Sequence, residues 1–180
     1  MGTPSNEQSS ITPESPRAFM NRELSWLQFA RRVLQLAQDR ELPLLERVKF
    51  AGILGMLHDE FFMKRMSGLK RQIRNGVQKL SLDGITPREE YDACRAEILA
   101  QCEELAKVVE DEIRPALAKH GVGIRDYADL AAAHKKELAR YVERAVLPIL
   151  TPLAVDAEHP FPFISNLGLN LAIQVTDPGR

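Results

Sequence analysis

The stretch from Thr86 to Gly121 leaves this chain little freedom in what it can become. Thr86-Pro87-Arg88-Glu89 places threonine at a helix cap, proline at the first helical position and glutamate three residues past the cap, the pattern of a capping box. Tyr91, Cys94, Ile98, Cys102, Leu105, Val109 and Ile113 follow at alternating spacings of three and four. The spacing predicts one helix, kinked near Pro115 and ended at His120-Gly121, with Gly121 in a left-handed cap. An apolar seam of that length must be covered by antiparallel helical neighbours crossing at a shallow angle. The predicted fold is therefore mainly α: an N-terminal antiparallel helical bundle.

Two further helices supply the neighbours. Asn21 is placed to cap the first, with Glu23 in its opening turn where the helix dipole favours a negative charge. Leu24, Leu27, Val33, Leu34 and Ala37 give that helix its apolar side, and Trp26 and Phe29 widen it. Pro43 opens the second, which carries Phe50, Ile53, Leu54, Leu57, Phe61, Met66, Leu69 and Ile73 at near-helical spacing to Asn75-Gly76. Gly52, Gly55 and Gly68 stand inside it, each costing up to about 1 kcal/mol in a helix interior. Either the glycines let helices pack closely or something approaches the backbone there. The helix is buried at its start and basic at its end: Lys64, Arg65, Lys70, Arg71, Arg74 and Lys79 fall between Phe61 and Leu82 with no acidic residue among them. Lys64, Lys70, Arg71 and Arg74 form a candidate polyanion patch; the plainer alternative is a solvated basic face.

Composition narrows the class. A hydrophobic content of 44% and a charged content of 27% describe a globular protein, and a formal net charge of -1 argues against a bulk electrostatic nucleic-acid binder. Any polyanion site must be local. Cys94 and Cys102 lie eight apart, which suits no zinc site, and read as small core hydrophobes. The longest uncharged run, Pro160 to Thr176, holds two prolines, two asparagines and a serine and makes a poor membrane span. Residues 1–20 lack a secretory signal and are expected to be a disordered tail, with a cytoplasmic location as the default.

After the helical domain at 21–121, residues 122–180 change character. Val122 to Ile124 and Leu167 to Val175 are expected as strands, with a helix through Leu138, Tyr141, Val142, Ala145 and Val146 ended by Pro148. One good strand without a closing partner does not make a sheet. The segment is expected to be the incomplete start of an α+β domain, which makes the chain a fragment. Of four histidines, none has a second metal-type ligand at suitable spacing. His120 and His134 read as helix-end residues, His58 as a surface residue or an acid–base group beside Asp59 and Glu60, and His159 as part of a docking loop. There is no phosphate-binding glycine loop, nucleophile elbow or dinucleotide fingerprint. No catalytic residue and no metal site is read from the residues.

Three blocks carry a resemblance. Asn21-Arg22-Glu23-Leu24-Ser25-Trp26-Leu27-Gln28-Phe29 with Arg32-Val33-Leu34 is the first. Phe50-Ala51-Gly52-Ile53 through Asp59-Glu60-Phe61-Phe62-Met63 to Arg65 and Gly68-Leu69-Lys70 is the second. Ile149-Leu150-Thr151-Pro152-Leu153 through His159-Pro160-Phe161-Pro162-Phe163-Ile164-Ser165-Asn166-Leu167 is the third. Together they resemble bacterial polyphosphate kinases of the histidine-phosphorylating type, over most of residues 21–175. The resemblance implies a helical N-terminal domain, a head domain involved in dimerisation, and later catalytic domains that hold the reacting histidines. It implies reversible transfer of the terminal phosphate of ATP to polyphosphate through a phosphohistidine, with Mg2+, in a homo-oligomer. It also implies Asp59, Phe61 and Arg65 as nucleotide-facing residues. One departure stands out: Leu57 occupies the position of an asparagine that approaches the adenine in the family. Leucine can pack against a base but cannot hydrogen-bond to it. Likewise Ala30 follows Phe29 where the family commonly has asparagine.

Two functions follow as expectations. The first is an enzyme fragment that caps the nucleotide site of a polyphosphate kinase and is inactive alone. The second is a non-enzymatic helical adaptor that binds polyphosphate or RNA through Lys64 to Lys79.

Overall fold

A computed structural model describes residues 11–165 and 168–176. The chain divides into two compact units, Met1–Gly121 and Val122–Arg180.

The first unit is a helical bundle. Helix α1 (Arg22–Gln38) starts as expected: the Asn21 side-chain oxygen accepts from the backbone N–H groups of Glu23 (3.0 Å) and Leu24 (2.9 Å). Helix α2 runs over Leu44–Phe61, with Pro43 at its cap position. A π-helical turn at Phe62–Met66 then leads into α3 (Ser67–Arg74). The long helix is thus interrupted by a wide turn where the Ser67 hydroxyl donates to the Met63 carbonyl, a back-bond that competes with the regular ladder and bends helices. Asn75 and Gly76 (φ 67°) end it.

Helix α4 (Pro87–Lys107) begins at the predicted capping box, both of whose hydrogen bonds form. A second π-helical turn, Val108–Ile113, precedes α5 (Arg114–Lys119). Pro115 lacks an N–H and its ring crowds the carbonyl four residues back, and the wide turn accommodates both. His120 caps α5 and Gly121 takes φ 80°, as expected.

Packing fixes the order of the helices. The start of α1 (Leu24, Leu27), the end of α2 (Phe61), Met66 and Leu69, and the start of α4 (Tyr91, Cys94, Ile98) share one buried cluster. Ala30, Val33, Leu34 and Leu54 form the next, with Phe50, Leu57 and Leu105 against it. Val108, Ile113 and Leu117 close the far end against Leu44, Val48 and Ala51. Helices α1 and α4 therefore run in the same direction, and α2–α3 runs antiparallel to both. Charged staples tie the layers. The Arg31 guanidinium donates to Glu97 (2.8 Å) and Glu104 (2.9 Å). Arg47, nearly buried, donates to the Ala37 carbonyl (2.8 Å) and to Glu112 (2.7 Å).

Four expectations are corrected here. His58 is not a surface residue: it is 7% exposed, its Nε2 lies 2.9 Å from the Gln101 oxygen, and the Gln101 amide donates to the Leu27 carbonyl and Glu97. Cys94 is buried, but Cys102 is exposed. Phe29 is also exposed rather than part of the apolar side. Finally, a Cβ built on Gly52, Gly55 or Gly68 meets nothing within 4 Å, so close packing between helices of this unit does not explain these glycines.

Of the expected tail, residues 1–10 lie outside the described residues. Residues 11–20 are not featureless: Pro16–Ala18 form a 3-10 turn, and Pro16 Cβ would stand 3.1 Å from a Cβ on Gly84. Gly84 has φ 85°, so a side chain there would be strained as well as crowded.

In the second unit, α6 (Ala132–Tyr141) continues through a π-helical turn at Val142–Val146 and a 3-10 turn at Leu147–Ile149 that contains Pro148. His134 sits in the first turn of α6, not at a C-terminal end as expected. Neither expected strand forms among the described residues: no strand is assigned at Val122 to Ile124 or at 168–176, and Leu167 lies outside the described residues. The described fold is mainly α.

Candidate functional site

A cleft of about 400 Å³ lies beside the start of α1. Asn21, Arg22 and Glu23 come from α1 and its cap. Lys64 and Arg65 come from the π-helical turn, Gly68, Leu69 and Gln72 from α3, Ser81 to Asp83 from the connecting loop, and Glu90 from α4. Its walls alternate in charge, with Arg22, Lys64 and Arg65 facing Glu23, Asp83 and Glu90.

Asn21 organises this wall. Its oxygen caps α1, and its amide donates to Glu90 (2.8 Å) and, at 3.3 Å, to Asp83. One side chain thereby joins α1, the loop and α4. Glu23, 7% exposed, is bracketed by two guanidiniums: Arg22 donates to it at 2.6 Å and Arg65 Nε lies 3.5 Å away. The Glu23 carboxylate raises the pKa of Arg22 further, through the hydrogen bond first and the charge second. Glu23 holds the Arg65 stem while about half of the Arg65 side chain remains open to solvent.

The expected nucleotide-facing residues divide. Arg65 lines the cleft. Phe61 does not: at 2% exposed it stacks on Trp26, with ring centroids 5.0 Å apart and planes 27° from parallel. Burying a phenylalanine is worth about 2–3 kcal/mol, and this ring is spent on the core. Asp59 is half-buried away from the cleft lining, with Oδ2 buried and without a hydrogen-bond partner among the described residues. Leu57, at the family's asparagine position, is half-buried against Leu34 and Leu54.

The basic patch divides too. Lys64 is paired with Glu60, four residues earlier on the same helical run. Lys70, Arg71 and Arg74 are exposed and make no ion pair among the described residues. The cleft is lined from α3 by Gly68, Leu69 and Gln72. Lys70 and Arg74 each stand two residues beyond one of these, roughly half a turn round the helix, so they face away from the cleft. Sequence spacing alone did not separate the two groups, because the π-helical turn shifts the register between Lys64 and Lys70.

The cysteines and histidines of the described residues lie outside the cleft lining. Burial pushes the Cys94 thiol up to about 12, and partial desolvation of the otherwise exposed Cys102 thiol, beside His58, raises it as well. His58 is bonded to Gln101, His120 caps α5, and His159 Nδ1 lies 2.8 Å from Asp156, whose pKa it lowers. No group of three His, Cys, Asp or Glu side chains among the described residues could hold a metal ion. No helix among them is long and apolar enough to cross a membrane.

Known proteins match this arrangement along most of its length. The family described as polyphosphate kinase N-terminal domain matches residues 19–125, and the polyphosphate kinase middle domain matches 133–180. Polyphosphate kinase of Mycobacterium marinum is 47% identical over 160 residues, covering 89% of this chain and 22% of that protein. Polyphosphate kinase of Mycobacterium tuberculosis is 44% identical over 176 residues, covering 97% of this chain and 24% of the relative. Among solved structures, that of polyphosphate kinase from Porphyromonas gingivalis superimposes with a TM-score of 0.65 at 28% identity, over 82% of this chain and 21% of the other. The chain spans about a fifth to a quarter of the length of these relatives. With matches to both its helical unit and the segment that follows, the chain belongs to the polyphosphate kinase family, as its N-terminal domain and part of its middle domain.

Proposed function

We propose that this chain is the nucleotide-capping part of a polyphosphate kinase that transfers the terminal phosphate of ATP reversibly to polyphosphate. The reaction passes through a phosphohistidine on a later domain, and the chain is inactive alone. The observation that carries this reading is Arg65: a guanidinium held at its stem by the nearly buried Glu23, half open, at the rim of a cleft that also presents Lys64 and Arg22. Such an arrangement pre-orients a cation toward a phosphate group without supplying a nucleophile. Arg65 and Lys64 would bind and orient phosphate oxygens, and Asn21 would keep the wall in place.

The described residues do not fit a Mg2+ site, because Asp83 and Glu90 are engaged by the Asn21 amide and no third ligand joins them. Any Mg2+ that accompanies ATP would be held by the rest of the protein. A homo-oligomer joined through the middle domain and a cytoplasmic setting, where ATP is at hand, complete the proposal.

The test is Arg65→Ala in the full-length protein. Losing one charge-assisted contact at a half-exposed site raises KM for ATP about tenfold, equivalent to about 1.4 kcal/mol, with kcat little changed. An unchanged KM would remove Arg65, and with it the capping role of the cleft. The adaptor reading, in which the chain binds a polyanion without catalysis, is favoured by one observation: Lys70, Arg71 and Arg74 are exposed and make no ion pair among the described residues. It predicts polyanion binding that the later domains do not influence.

A further inference from the structure

We infer that the outer face of α3 is a second polyanion site, separate from the cleft, that takes extended inorganic polyphosphate. The inference rests on the family membership but concerns different residues from those proposed to face the nucleotide.

Two classes of cation stand on this short run of chain. Lys64 and Arg65 are tethered, to Glu60 and Glu23, and line the cleft. Lys70, Arg71 and Arg74 are exposed and pair with no carboxylate among the described residues; Lys70 and Arg74 lie roughly half a turn from the cleft-lining face of the same helix, and Arg71 stands at its edge, beside Gln72. Lys79, past the helix end at Gly76, is also exposed. No acidic residue occurs between Phe61 and Leu82 to neutralise them. In a chain with a formal net charge of -1, this is a local concentration of positive charge rather than a share of a general excess.

The shape of the row selects its ligand. A compact triphosphate gathers its charge at one point and suits cations that converge on a concavity. These side chains instead diverge along a convex helix face, which matches a ligand with regularly repeated charge along its length. Single-stranded RNA is such a ligand too, but its binding surfaces add rings on which bases stack. Residues 67–82 contain no aromatic side chain, and their exposed apolar residues are Val77, Leu80 and Leu82. A purely cationic row without a stacking platform reads charge alone, which inorganic polyphosphate offers at the highest density. The site would hold a growing or incoming chain near the domain while the cleft addresses the compact donor.

The experiment measures binding to this chain of three probes: long-chain inorganic polyphosphate, tripolyphosphate and poly(U), across a salt series. Wild type is compared with Arg65→Ala and with the triple variant Lys70→Ala, Arg71→Ala, Arg74→Ala. All four positions are largely solvent-facing, and far-UV circular dichroism checks that both variants stay folded. The triple variant should weaken long polyphosphate at least about tenfold and reduce the slope of log K against log salt by about 2, the effect of three lost phosphate contacts on a single strand. It should leave tripolyphosphate binding within about twofold, whereas Arg65→Ala should weaken tripolyphosphate. Unchanged affinity and slope for long polyphosphate in the triple variant would overturn the second site. Equal loss of both phosphate probes in the triple variant would merge the two sites into one and also overturn it. Poly(U) binding as tight as long polyphosphate, lost with the same variant, would assign the row to RNA instead. None of these failures depends on whether Arg65 alters KM for ATP in the full-length protein.

Discussion

Replacing Asn21 tests how the cleft is assembled. Its oxygen caps two N–H groups at the start of α1, and its amide donates to Glu90 at 2.8 Å and to Asp83 at 3.3 Å. Loss of an asparagine cap costs about 1 kcal/mol. Loss of a half-exposed amide donor to two carboxylates adds about 1 kcal/mol, below the range for fully buried charged partners. Asn21→Ala should therefore destabilise the chain by about 2 kcal/mol in urea unfolding followed by circular dichroism. Asn21→Ser keeps a capping oxygen but cannot reach both carboxylates, and should recover about half of that loss. Asn21→Asp keeps the cap but sets a third carboxylate against Asp83 and Glu90, so its cost should shrink as salt is added. If Ser is as stable as wild type, the bridge to α4 contributes nothing and the proposed organisation of the wall is wrong. If Asp is as stable as wild type at low salt, the three elements do not meet at this side chain.

Two further outcomes follow from other parts of the bundle. Arg40 and Arg47 donate to Glu112 and lower its pKa to about 2 from the ordinary 4.5 of a glutamate, so its contribution to stability is complete above 4.5 and is lost as the pH falls toward 2. Stability measured from pH 5 to pH 2 should fall more steeply in wild type than in Glu112→Gln, and parallel curves would contradict the pairing. Gly52→Ala and Gly55→Ala place a methyl where nothing lies within 4 Å. Each should stabilise this chain by about 0.5–1 kcal/mol through helix propensity, and a loss of stability would show that the face is already occupied.

What was legible in the sequence was local. The Thr86–Glu89 capping box, the Asn21 cap, the helix end at Asn75-Gly76 and the left-handed Gly121 are decided by residues within a turn of each other, and all form. The three-four apolar seam from Tyr91 onward likewise demanded a bundle. Azimuth was harder to read, since a helix face is inside or outside only relative to its neighbours. His58 looked polar and exposed beside Asp59 and Glu60, yet Gln101 of α4 offers it a buried partner. Phe61 looked available, yet Trp26 of α1 covers it. The cleft joins Asn21 to Asp83 and Glu90 across more than sixty residues of sequence, and no spacing rule signals that meeting. The two classes of cation were hidden for a further reason: the π-helical turn at Phe62–Met66 breaks the register that would relate Lys64 to Lys70. The strand expectations failed because an edge needs a partner that the described residues do not provide.

The central claim is that this domain positions a phosphate donor but does not react with it. The direct measurement is to incubate the full-length protein with ATP labelled in its terminal phosphate, quench under alkaline conditions, and map the acid-labile label by proteolysis and mass spectrometry. The account predicts that every phosphohistidine lies outside residues 1–180. Label on His58, His120, His134 or His159 would contradict it.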